Sequence, residues 1–292
     1  MINDNPKVDI IGYSERGIVS SFMYEMVMNE NALNLFSGFL EKYEPMREDE
    51  KPLKNDVKIT DVKVLLEHSF SDFGDADVVL LLKTSAGSNL CIFIEAKVSN
   101  GTGKKSLSDH FEKFCKLDEK NREAARKKTK KDYKFSSNLF TQMYHKNRLV
   151  KILLDKDCKK LLEKPGKVIE REFPSSSTKT LRKIGSNDVV LKTLHEICCH
   201  INKDKDQVWY LALVSEGPCE EIPCKKIPFD KVHDDYKKDK KGEHYWDVEH
   251  YGYIVWPTIE EFCKENGLQK TLGVFEHNRL LIFKRPCKIK RI

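Results

Sequence analysis

The sequence predicts an α/β protein built around a buried sheet. Three observations carry this. Two continuous apolar runs, Val78 to Leu82 and Leu90 to Ile94, are separated by the turn-forming stretch Ser85-Ala86-Gly87-Ser88-Asn89. Runs of this kind suit strands covered on both faces, and the turn joins them as a β-hairpin. A helical pattern precedes the hairpin, and helices and a further strand-like run, Val208 to Val214, follow it. The order helix, three strands, helices, strand implies one sheet domain over residues 1–217. An α+β C-terminal extension, residues 218–292, is expected to pack on that core.

Taken in order, Ser14 can cap a helix from Glu15 to Phe36. Its apolar positions are Ile18, Phe22, Met26 and, after a kink, Leu33 and Phe36. Glu41 to Asn55 is a charged loop broken by Pro45 and Pro52. Val57 to Leu66 reads as a strand interrupted near Asp61. Past the hairpin, Ser106 to Leu117 and Ser137 to Leu154 have helical character. The second carries the stripe Leu139, Leu149 and Leu153. Pro165 to Asp188 reads as a connecting loop and Asp188 to Ile201 as a helix. Beyond Gly217 the chain is charged and irregular. Thr258-Ile259-Glu260-Glu261 fits a capping box there, and Leu280 to Phe283 is a last strand candidate.

Composition excludes several classes. Of 292 residues, 39% are hydrophobic and 34% charged, enough for a core under a highly charged surface. The net charge of +6 is compatible with a polyanionic partner without demanding one. No apolar run approaches the roughly 18–20 residues of a spanning helix, so no membrane association is expected. The N-terminus has no basic start leading into an apolar stretch. The nine cysteines therefore read as reduced thiols in a cytoplasmic protein. Cys198 and Cys199 lack the paired spacing of a structural zinc site. No nucleophile elbow and no phosphate-binding loop of the Walker type is present.

The chemistry is concentrated in Gly74-Asp75-Ala76-Asp77, the hairpin, and Glu95-Ala96-Lys97. With the turn centred near Ala86-Gly87, antiparallel pairing sets Asp77 opposite about Ala96. Asp77 and Glu95 then lie at one end of neighbouring strands, about 4.8 Å apart. Glu95 and Lys97, two apart, are expected on one face. Two carboxylates at the margin of a buried sheet are costly unless paired. A divalent cation would relieve their repulsion. Oxygen-only ligands favour Mg²⁺ or Mn²⁺, and the Ala96 carbonyl offers another oxygen. Lys97 would stand beside the attacking water, and the cation would polarise a phosphoryl oxygen.

These motifs resemble the PD-(D/E)XK nuclease superfamily, the restriction-endonuclease-like fold. The matching parts are Gly74-x-x-Asp77 before one apolar strand and Glu95-x-Lys97 at the end of the next. The element order also resembles that superfamily's αβββαβ core, a mixed central sheet flanked by helices, over roughly residues 10–217. The resemblance implies a Mg²⁺-dependent endonuclease, a hydrolase of phosphodiester bonds in nucleic acid, in DNA before RNA. It implies catalytic roles for Asp77, Glu95, Lys97, Glu15 and Gln142. Of these, Asp77, Glu95 and Glu15 would hold the metal. Glu15 fits the superfamily's carboxylate on the first helix, with Glu25 the second choice. Gln142 fits its helix glutamine and shares the Leu139/Leu149 stripe. Asp75 reads as a solvated neighbour or an outer ligand. Two features depart from the pattern. Ala76-Asp77 replaces Pro-Asp, and Gln142 lies far from Lys97 across a basic insertion. Lys104, Lys105, Arg126, Lys127, Lys128, Lys130 and Lys131, in and before that insertion, are the candidate phosphate contacts. Double-strand cutters of this fold often dimerise, so a homodimer stays open. The alternative is a catalytically silent nucleic-acid-binding or protein-interaction module of the same fold.

Overall fold

The apolar runs form the centre of the sheet. The computed structural model describes residues 14–46, 51–54, 56–98, 106–110, 138–155, 169–171, 181–201, 208–217 and 250–279. Helix α1 spans Ser14–Val27 and α2 spans Ala32–Glu41. The expected kink is thus a full break. At the break, the Asn29 side chain accepts from the Asn31 N–H at 2.9 Å, a local bond that competes with the helical one. The charged loop after α2 holds a short strand β1, Glu44–Pro45. Proline has no N–H to donate, which suits an edge strand.

Strand β2 covers Ile59–Ser69, β3 covers Asp75–Thr84 and β4 covers Asn89–Ala96. The interruption expected near Asp61 is a register shift between Ile59 and Asp61. The β3–β4 turn closes with Gly87 N–H donating to Thr84 O at 3.0 Å, and Gly87 has φ +78°. A side chain is disfavoured in that conformation, so glycine belongs there.

The crossover after β4 begins with helical residues 107–110. Ser106 and Asp109 cap this start reciprocally, with Ser106 N–H donating to the Asp109 carboxylate and Asp109 N–H to Ser106 Oγ. Helix α3 follows, Leu139–Asp155. Asn138 Oδ1 accepts from the N–H groups of Phe140 and Thr141 at its start. The expected loop from Pro165 to Asp188 contains a small antiparallel pair, β5 (Ile169–Arg171) and β6 (Leu181–Lys183). Helix α4 is Asp188–Ile201 and β7 is Val208–Val214, both with the expected bounds. Cys91, Cys199 and Cys263 carry free thiols. Cys198 departs from the reduced-thiol expectation, being disulfide-bonded. Folding, not spacing along the chain, decides which sulfurs approach closely enough to bond.

The extension does more than pack on the core. Strand β8, Tyr251–Val255, joins the main sheet parallel to β7. Helices α5, Trp256–Glu265, and α6, Gln269–His277, follow. Helix α5 begins at Trp256, two residues ahead of the expected cap, and Pro257 occupies its first turn. Proline is pre-organised for that position, so Thr258 falls inside the helix. Leu280 to Phe283 lies outside the described residues.

The main sheet is six-stranded and mixed, in the order β1-β8-β7-β4-β3-β2. The pairings β2–β3, β3–β4 and β1–β8 are antiparallel, and β4–β7 and β7–β8 are parallel. Alternate residues of β3, β4 and β7 feed two cores. Val79, Leu81, Cys91, Phe93, Tyr210 and Ala212 meet α3 and α4 on one face. Val78, Leu80, Ile92, Ile94, Leu211 and Leu213 meet α1, α2, α5 and α6 on the other. The architecture is an open α/β sheet covered by helices on both sides.

Candidate functional site

The β3–β4 register runs from Lys83↔Asn89 to Val78↔Ile94. One step further sets Asp77 beside Glu95, one position from the Ala96 expected. Alternation aims both side chains to the α3 side, following Val79 and Phe93. Asp77 is nearly buried, and its Oδ2 accepts the Ala96 N–H at 2.8 Å. This bond locks the carboxylate across the strand pair.

Glu95 is fully buried. Its Oε1 lies 3.2 Å from the Nζ of Lys146, a fully buried lysine on α3. Lys146 Nζ also donates to Phe73 O at 3.1 Å. Neither Glu95 oxygen accepts an aligned hydrogen bond. Burial pushes the Glu95 carboxyl up to about 7; Lys146 opposes that, Asp77 adds to it, and Lys97 opposes it again. Gln142 lies one helical turn before Lys146, on the same side of α3. Its Oε1 is buried and accepts no hydrogen bond.

Lys97 follows the last residue of β4, and its N–H donates to Leu213 O. Its Nζ donates to Glu15 Oε1 at 2.7 Å and to Ala96 O at 2.6 Å. Glu15 Oε2 accepts the Val98 N–H at 3.2 Å. Glu95 and Lys97 therefore reach helices of different layers, because strand alternation ends with the strand. Their charges remain coupled. Burial alone would lower the Lys97 amine, but the carboxylates of Glu15, Glu95 and Asp77 outweigh it and raise it. Trp256 Nε1 donates to Lys97 O at 3.1 Å, so the start of α5 buttresses this segment.

Glu15, Asp77 and Glu95 do not gather around one point. Among the described residues no three His, Cys, Asp or Glu side chains form a group that could hold a metal ion. Glu15 is drawn instead to Lys97 and Val98. The Ala96 carbonyl, a candidate ligand, is taken by Lys97. Glu25 is engaged elsewhere, at the start of α6. It accepts from Lys270 N–H at 2.9 Å, Thr271 N–H at 2.7 Å and Thr271 Oγ1 at 2.6 Å. Asp75 is half-exposed and pairs with Arg16 at 3.2 Å. Lys104, Lys105, Arg126, Lys127, Lys128, Lys130 and Lys131 lie outside the described residues. Lys146 was missed by sequence reasoning, although a signal existed. It sits four residues after Gln142 and three before Leu149, on the stripe that marks the buried side of the helix.

What the site does offer a cation is oxygen atoms that no hydrogen bond occupies. Both Glu95 oxygens and Gln142 Oε1 are buried acceptors without a hydrogen bond. Such atoms call for an ion or a water. Oxygen donors alone match Mg²⁺ or Mn²⁺. No family model, no curated protein and no solved structure matches the chain.

Proposed function

We propose that the chain is a metal-dependent nuclease of the restriction-endonuclease-like type, hydrolysing phosphodiester bonds of nucleic acid, with DNA as the first substrate to test. The observation that carries this is the buried Glu95 carboxylate. It stands beside Asp77 at one end of the hairpin, both of its oxygens lack hydrogen bonds, and Lys97 lies two residues on. Asp77 and Glu95 would hold the dication, which when bound polarises a phosphoryl oxygen and acidifies the attacking water. Asp77 is held for this by the Ala96 N–H. Lys97 stays protonated through Glu15, Glu95 and Asp77. It therefore donates hydrogen bonds and orients the water or the phosphate, and does not act as a base. Glu15 acts as a positioning residue, fixing Lys97 and the Val98 N–H.

The test is incubation with single- and double-stranded DNA and with RNA, in Mn²⁺ or Mg²⁺ and then in chelator. Cleavage that disappears with chelator is expected. The Lys97→Ala variant should fold and lose about 10²-fold or more of that rate. Unchanged cleavage by the variant would remove Lys97 from the mechanism.

One observation favours a second reading, a silent binding module of the same fold. Each of the three carboxylates already has a protein partner, and Lys146 neutralises Glu95 without a metal. Nucleic-acid binding that is indifferent to Mn²⁺, with no cleavage of any substrate, would establish it.

A further inference from the structure

Lys146 is the most unusual charge among the described residues. Its side chain is 0% exposed, and that of its partner Glu95 is 1% exposed. Removing an ammonium from water costs several kcal/mol, so a buried lysine needs strong compensation. Lys146 has two partners, Phe73 O at 3.1 Å and Glu95 Oε1 at 3.2 Å. The backbone also runs close to it. A Cβ on Gly74 would stand 3.4 Å from Lys146 Nζ, and Gly74 has φ +79°. The glycine that opens the Gly74-x-x-Asp77 motif thus lies directly against this ammonium.

The three carboxylates are held in different ways. Asp77 accepts a backbone N–H at 2.8 Å. Glu15 accepts Lys97 Nζ and a backbone N–H. Glu95 has no aligned hydrogen bond and is held by the charge of Lys146. Fixed hydrogen-bond donors would have to be broken to release the first two. An ion pair without aligned hydrogen bonds can be exchanged for another cation at the same carboxylate.

We infer that Lys146 is the resident counter-cation of Glu95, that it gives up this carboxylate to a divalent cation, and that it thereby sets the metal affinity of the site. The inference rests on the metal-site reading above. While Lys146 holds Glu95, the pair has no net charge. When Lys146 yields, the carboxylate is already dehydrated and placed next to Asp77. Wild-type affinity is then lowered by the competing ammonium, as an intramolecular competitor lowers any apparent affinity.

The test compares the full chain with Lys146→Met, Lys146→Arg and the double variant Glu95→Gln/Lys146→Met. Mn²⁺ binding is measured by titration calorimetry at about pH 8.5, to limit competition from protons. Thermal unfolding is followed with and without MnCl₂. Lys146→Met is expected to bind Mn²⁺ at least about tenfold more tightly than wild type, about 1.4 kcal/mol. Its melting temperature should be lower in chelator and should rise more with Mn²⁺. Lys146→Arg should behave as wild type, and the double variant should lose Mn²⁺ binding. If Lys146→Met does not fold in chelator, Mn²⁺ should restore a cooperative transition, while the double variant folds in either condition. A lysine that only stabilises the fold would lower the melting temperature without raising Mn²⁺ affinity. That result, or a Lys146→Met chain that Mn²⁺ fails to refold, overturns the inference and leaves the metal site standing. Absence of Mn²⁺ binding by the wild type and by Lys146→Met alike overturns both.

Discussion

Glu95 is where burial and chemistry conflict most openly. The core strand that delivers it demands apolar residues, and a carboxylate there loses its hydration. Its carboxyl accordingly moves from an ordinary 4.5 to about 7, with burial as the main cause and Lys146 opposing it. The folded state holds this proton more tightly than the unfolded chain does. The resulting stability is fully present below about pH 4.5 and is lost as pH rises through about 7. In chelator, the uncharged Glu95→Gln variant should therefore show a flatter pH–stability curve across that window. Urea midpoints measured at intervals through it would check this. Parallel curves for variant and wild type would mean that Glu95 carries no such linkage. The stripe on α3 shows how legible these residues were. Gln142 was picked out as polar on an apolar side, and the same rule applied to Lys146 would have marked it as buried. It would not have named Glu95 as its partner, since helical periodicity says which face is covered and not by what.

At the scale of elements, two carboxylates of one helix have separate tasks. Glu15 opens α1 and reaches Lys97, whereas Glu25, ten residues on, satisfies the first N–H groups of α6. A side chain doing this from another helix replaces a local cap, and its loss should cost about 1–2 kcal/mol. Glu25→Ala should lower the melting temperature while leaving metal-dependent cleavage intact. Loss of cleavage at undiminished stability would transfer the helix-carboxylate role from Glu15 to Glu25. The hairpin was readable to within one register position, because its turn and pairing are set within one short stretch of chain, although both strands extend beyond their apolar runs. The start of α5 was not. Thr258-x-x-Glu261 has the form of a cap, but Trp256 is already helical and buried in the core.

On the scale of the molecule, the C-terminal strand and helices complete the fold. Ile254, Trp256, Ile259, Phe262, Leu268, Val274 and Phe275 are all buried in the core beneath α1 and α2. Each such side chain contributes about 1.5–3 kcal/mol on burial. A chain ending at Gly217 would lose them all, along with the Trp256 bond to Lys97 O. It should fail to form a cooperative native state, as judged by near-ultraviolet circular dichroism and thermal unfolding. A truncated chain that melts cooperatively near the full-length temperature would show instead that residues 1–217 fold alone. Irregular charge over residues 218–249 hid this from sequence reasoning. It suggested a lobe laid on the core, when a strand was to be added to the sheet itself.

The sequence by itself determined the sheet's central strands and the meeting of Asp77 with Glu95. Apolar continuity and turn chemistry act between near neighbours, and a hairpin register needs nothing more. Only the tertiary structure decided which cation Glu95 meets, that Glu15 is spent on Lys97, and that Trp256 holds the backbone there. The last two contacts join residues 82 and 159 positions apart. Local patterning says that such side chains are buried; their partners follow from how the helices stack on the sheet.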